Sequence, residues 1–99
     1  MRVMISQPMA GLTLEEIRKN RADAVERLEA EGHEVVDSIL TDEPPADSNA
    51  ALHCLGRSFQ IMASCDAVLF LEGWEKARGC RMERAACEAY GVKVMECGW

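Results

Sequence analysis

The chain has no long hydrophobic stretch. Its longest uninterrupted apolar run, Ala67–Leu71, covers five residues, against the roughly 20 that a membrane-spanning helix requires. The N-terminus carries a single Arg and lacks the apolar core of about 7–15 residues that a signal peptide needs, so a cytoplasmic location is expected. Positive charge is in short supply: 11 Lys and Arg stand against 17 Asp and Glu, for a net charge of -6. An anionic chain is a poor partner for nucleic acid polymers or anionic membranes, so neither is expected. Also missing are a C-x-x-C pair, a Walker-A loop and a G-x-G-x-x-G turn. These absences disfavour a zinc ribbon, a thioredoxin-type centre, an NTPase and a dinucleotide enzyme. No metal and no other cofactor is expected.

Five cysteines (Cys54, Cys65, Cys80, Cys87, Cys97) are present, an odd number. In a reducing compartment they read as small buried hydrophobes. Cys80 stands apart because it falls near a helix start beside Arg78 and Arg81, neighbours that would lower a thiol pKa. With 99 residues, 48% of them hydrophobic, the chain suffices for one domain over 1–99 with a real core.

Periodicity divides the chain into alternating strands and helices. Val3-Met4-Ile5 is a strand, followed by a loop with Pro8 and Gly11. Thr13 and Glu16 form a capping box ahead of an apolar series at Leu14, Ile17, Ala24, Val25 and Leu28, which Gly32 ends. His33–Asp37 is the second strand. Residues 41–49, acidic and with two prolines, read as a loop placed to act as a lid. Leu52, Leu55, Phe59 and Met62 mark a second helix over about 49–64, and Asp66–Leu71 is the third strand. A third helix from about Gly79 to Tyr90 is expected to face the core with Met82, Ala85, Ala86 and Ala89, and Val92–Met95 is the fourth strand. This β-α-β alternation predicts a flavodoxin-like three-layer α/β/α domain with a four-stranded parallel sheet of order 2-1-3-4.

In that order the switch point lies between strands one and three, and the loops leaving them, 6–11 and 72–79, meet at one crevice. The candidate binding residues are Ser6, Gln7, Pro8, Met9 and Gly11 in the first loop. The second loop adds Gly73, Trp74, Arg78, Gly79 and Cys80. Glycines let backbone approach a ligand, helix N-termini offer free N–H groups to anions, and Lys76, Arg78 and Arg81 add positive charge. Trp74 is suited to stacking on a base or capping a ribose. Glu83, in the first turns of helix three, is the candidate catalytic carboxylate. A phosphoacceptor receiver is excluded, because strand three ends in Leu71-Glu72 and not in Asp.

The segments ISQPMAG, CDAVLFLEGWEKARGCRME and AYGVKV together resemble the DUF4406 family, within the nucleoside 2-deoxyribosyltransferase-like proteins. The resemblance covers nearly the whole chain and implies an oligomeric assembly acting on a nucleoside or nucleotide. It further implies that Gly79–Glu83 is the G-x-x-x-E segment whose glutamate attacks the anomeric carbon, giving a glycosyl ester in the manner of a retaining glycosidase. The family's assisting aspartate falls on Ser58, whose hydroxyl is a poor general acid. The phosphate-holding serine of the hydrolases falls on Ala77. Two functions are therefore expected in competition: an N-glycosidic-bond enzyme, either deoxyribosyltransferase or N-hydrolase, and a nucleotide-binding or sensing module that lost chemistry. A purely structural role in a larger homo-oligomeric assembly is a third.

Overall fold

Val3-Met4-Ile5 and Ala67–Phe70 are apolar at every position and not at alternate ones, which is the pattern of strands buried on both faces. In the computed structural model, which describes residues 1–38 and 43–97, they form the centre of a four-stranded parallel sheet. β1 (Arg2–Ser6) pairs with β3 (Ala67–Phe70) in the register Val3↔Ala67 through Ser6↔Phe70. β2 (Glu34–Val36) flanks β1 and β4 (Lys93–Glu96) flanks β3, giving the order β2-β1-β3-β4. The expected flavodoxin-like fold and strand order are both present.

Alternation along the two central strands sorts their side chains into two cores. Val3, Ile5, Ala67, Leu69 and Leu71 meet Ala24 and Leu28 of α1 (Leu14–Ala30) on one face. Met4, Val68 and Phe70 meet Met62 of α2 (Ala50–Met62) and Cys80 and Cys87 of α3 (Arg78–Tyr90) on the other. Helix boundaries follow local chemistry. The Thr13–Glu16 capping box opens α1, the Asn49 side chain accepts from the Leu52 N–H to open α2, and Gly91 at φ 72° closes α3. Residues 41 and 42 of the expected lid lie outside the described residues; Pro45 to Ser48 form a tight turn leading into the Asn49 cap. Among the described residues, no helix is long and apolar enough to cross a membrane.

Three expectations about buried faces need correction. The core face of α3 is Cys80, Glu83 and Cys87, with Ala86 half-buried, whereas Met82, Ala85 and Ala89 face outward. Hydrophobic counting placed the stripe wrongly because its central member is a carboxylate, and because alanine is as much a surface helix former as a core residue. Leu14 of α1 is exposed, and so are Leu52 and Phe59 of α2, so that only Met62 of the α2 apolar series is fully buried. The observed α3 face has a direct test by urea unfolding. Cys87→Ser should cost about 1–3 kcal/mol, since its hydroxyl would sit in an apolar core beside the Met62 thioether. Ala89→Ser should stay within about 0.5 kcal/mol.

Candidate functional site

β1 and β3 lie side by side, and the chain leaves them towards opposite faces, so a cleft opens beyond their C-terminal ends. The two exit loops touch there: a Cβ built on Gly73, whose φ is 90°, would lie 3.5 Å from the Pro8 ring. On the α2/α3 side the cleft is a crevice of about 420 Å³, within the usual size of small-molecule sites. Its floor holds Glu83 and Cys80, its wall is Ala51, Cys54, Leu55 and Ser58 of α2, and Lys76, Arg78 and Gly79 form the rim with Met9.

Glu83 lies on the buried stripe of α3 and is only 9% exposed. The Ser6 hydroxyl, at the end of β1, donates to its Oε1 at 3.4 Å. Burial raises the Glu83 carboxyl from 4.5 to about 7, against a smaller lowering by the Ser6 hydrogen bond. The group therefore exchanges its proton near neutrality, which suits a carboxyl with a chemical task. Among the described residues no cation pairs with it. The next residue, Arg84, points elsewhere, since successive helical side chains diverge by about 100°; it bonds Glu96 at 2.6 Å and lies 4.3 Å from the Trp74 ring centroid.

The first turn of α3 supplies the anion-facing half of the crevice. Its N-cap is Ala77, which offers no side-chain acceptor, and the Arg81 N–H is the first bonded within the helix, to the Ala77 carbonyl. The N–H groups of Arg78, Gly79 and Cys80 stand ahead of it at the positive end of the helix dipole. Lys76 and Arg78 reinforce that charge, while Arg81 turns away and donates to the Glu75 carbonyl at 3.0 Å.

The model of the family described as Domain of unknown function (DUF4406) matches residues 1–96. The chain belongs to the DUF4406 family. Neither the curated proteins nor the solved structures hold a match to it.

The DUF4406 fold gathers Gln7, Met9, Ser58, Arg78, Gly79, Cys80 and Glu83 around one crevice, with Ser6 reaching Glu83 from beneath. Pro8 faces a second depression on the α1 side, with Gln7 shared between the two. That depression is of similar volume, but its carboxylates, Asp23 and Glu72, are exposed, and Asp23 pairs with Arg27. The buried carboxyl makes the α2/α3 crevice the candidate site. Gly11 (φ 79°) and Gly73 shape the two loops without lining either depression. Trp74 does not line the crevice either: it opens a 3₁₀ turn (Trp74–Lys76), sets its ring edge-on to Phe70 at 5.7 Å and carries Arg84 on its face. The expected lowering of the Cys80 thiol is also corrected. The thiol is 3% exposed and burial pushes it up, with Glu83 adding to the rise and Ser6 opposing it. Sequence reasoning missed the Ser6–Glu83 contact and the crevice wall of Ala51, Cys54 and Leu55; spacing on α2 signalled the wall, but nothing local signalled the contact.

An acid raised by burial stabilises the fold least when ionised. Stability from Glu83 is thus retained below pH 4.5 and lost as pH rises towards about 7, a window equivalent to about 3 kcal/mol at most. The groups around it are the Ser6 hydroxyl on β1, the Cys80 and Cys87 thiols on α3, Ser58 and Cys54 on α2, and the rim cations Lys76 and Arg78. Glu83→Gln should exceed the native chain in stability by about 1–3 kcal/mol at pH 8, and the two should converge near pH 4.5 in urea titrations.

Proposed function

We propose that this protein cleaves or transfers the N-glycosidic bond of a nucleoside or nucleotide, with Glu83 attacking the anomeric carbon. The observation that carries this reading is Glu83 itself, a buried carboxyl on the floor of a ligand-sized crevice at the sheet's switch point. A structural carboxylate at that depth would carry a cationic partner; this one has the Ser6 hydroxyl. The ionised form attacks C1′, forms a glycosyl ester, and is released by water or by an acceptor base. Ser6 holds Oε1 so that the other oxygen faces the sugar. The Arg78–Cys80 N–H groups, with Lys76 and Arg78, suit a 5′-phosphate at the far end of the ligand. The likeness of ISQPMAG and G-x-x-x-E to the nucleoside 2-deoxyribosyltransferase-like proteins supports the same assignment, and with it a homo-oligomeric assembly.

The second reading, a nucleotide-binding module without turnover, rests on Ser58, which stands in the α2 wall where an acid would assist the departing base. Glu83→Gln separates the two. On the enzymatic reading, chromatographically measured release of free base from nucleosides and 5′-monophosphates falls at least 10³-fold while ligand affinity stays within a few fold. A native chain that is stabilised by a nucleotide yet releases no base is a binding module.

The uncapped start of α3 has its own test. Ala77 has the extended backbone of an N-cap, so Ala77→Asp should stabilise the fold by about 0.5–2 kcal/mol through bonds to the first-turn N–H groups. The same carboxylate competes with an anion, so 5′-monophosphate affinity by calorimetry should fall at least tenfold while that of the unphosphorylated nucleoside changes little.

A further inference from the structure

On the reading of Glu83 as nucleophile, the crevice also constrains the group that must leave. A neutral purine or pyrimidine departs as an anion unless an acid protonates it, and that acid has to be a second group with a suitable pKa, within reach of the base. Among the described residues lining the crevice, Glu83 is the one carboxyl. The α2 wall opposite offers Ala51, Cys54, Leu55 and Ser58. A serine hydroxyl is a poor general acid, and Lys76 and Arg78 stand at the rim and not on the α2 wall. Among the described lining residues there is thus no second carboxyl and no imidazole, the groups best suited to protonating a departing base at pH 7.

The second observation concerns the nucleophile. Glu83 is buried with only a neutral hydroxyl as its hydrogen-bond partner, and among the described residues it forms no ion pair. A buried carboxylate is stabilised by an opposite charge within about 4–6 Å. Among the described residues, the floor of the crevice therefore offers that carboxyl no paired cation.

We propose that the preferred leaving group is a cationic nitrogen heterocycle, so that the substrate class is an N-glycosyl pyridinium and not a neutral nucleoside. The positive ring supplies the missing counter-charge and favours the ionised, attacking form of Glu83. A Glu83 oxygen bonds to C1′ as the C1′–N bond breaks. The electron pair of that bond stays on the ring nitrogen, which leaves as a neutral pyridine without needing a proton. Water then attacks C1′, the ester C–O bond breaks to regenerate the Glu83 carboxylate, and one proton passes to solvent. The balance is glycosyl pyridinium and water in, free sugar, neutral pyridine and a proton out. Ala51, Leu55 and Met9 offer an apolar slot for the flat ring.

The test compares substrates that differ in leaving group alone. The full chain is given nicotinamide riboside and adenosine, nicotinamide mononucleotide and adenosine monophosphate, with deoxyadenosine and deoxyuridine as the deoxy controls. Each release rate is divided by that of the same compound in buffer, since pyridinium glycosides are intrinsically more labile. The expected result is an enhancement at least 100-fold greater for the pyridinium compounds, lost in Glu83→Gln. The pH profile of kcat/KM, which reports the free protein, should rise through about 7 to a plateau with no alkaline fall, because no acid takes part. An equal or larger enhancement for the neutral nucleosides, or an alkaline fall, overturns the pyridinium assignment and leaves glycosidic chemistry at Glu83 standing. Release from none of the compounds overturns both.

Discussion

The parallel pairing of β1 with β3 is the constraint on which the rest depends. The register that sets Ser6 opposite Phe70 also ends both strands at the same level, and the Leu71 N–H extends the ladder by bonding the Ser6 carbonyl. From that line the chain leaves β1 towards α1 on one face and β3 towards α3 on the other, which opens the gap above. The pairing thereby makes the cleft and fixes Ser6 beneath it. A slip by one residue would turn every side chain of the strand to the opposite face and remove Ser6 from Glu83. Both faces of the two strands are apolar and buried, so what opposes the slip is the misfit of exchanged side chains in two packed cores and the displacement of the polar strand ends.

Glu83 runs against this economy. It takes a position on the core face of α3 that an apolar side chain would fill with gain, and it is held there with one long hydrogen bond. Folds carry such costs where a side chain has work to do, and offset them elsewhere. The offset here lies in the sheet, whose two cores meet behind the site. The uncapped helix start is a cost of the same kind: an acidic N-cap at position 77 would stabilise α3, yet would set a negative charge where an anion binds.

Much of the fold was legible in the sequence because its signals are local. Continuous apolar runs gave the central strands, a capping box and glycine stops gave the helix ends, and β-α-β alternation gave a parallel sheet in the right order. Topology brought Glu83, Arg78, Gln7 and Met9 to one crevice, whereas Ser58 entered only through the family resemblance. What sequence reading missed depends on orientation. Whether Met82 or Glu83 faces inward is settled by how α3 docks on Val68 and Phe70, and a polarity-based count must fail when the inward residue is charged. Cys80 shows the same limit: its arginine neighbours in sequence promised a lowered thiol, but one points to the crevice rim and the other to a backbone carbonyl, leaving burial to dominate.

Trp74 is the most informative of these reversals. Isolated in a glycine-bounded loop, it has the composition of a ligand platform, yet its ring packs edge-on to Phe70 and the Arg84 guanidinium lies over both rings, itself fixed by Glu96 on β4 and Glu88 on α3. This stack ties the 72–79 loop to the end of β3, to α3 and to the edge strand at once. A loop held from behind in this way does not fold over a ligand as a lid. It presents the α3 N–H groups and the rim cations in a fixed position, which lowers the ordering cost of binding. The adjacent residues Glu83 and Arg84 thus divide the labour by helical geometry alone, one side chain directed into the crevice and the next fastening the loop that forms its rim.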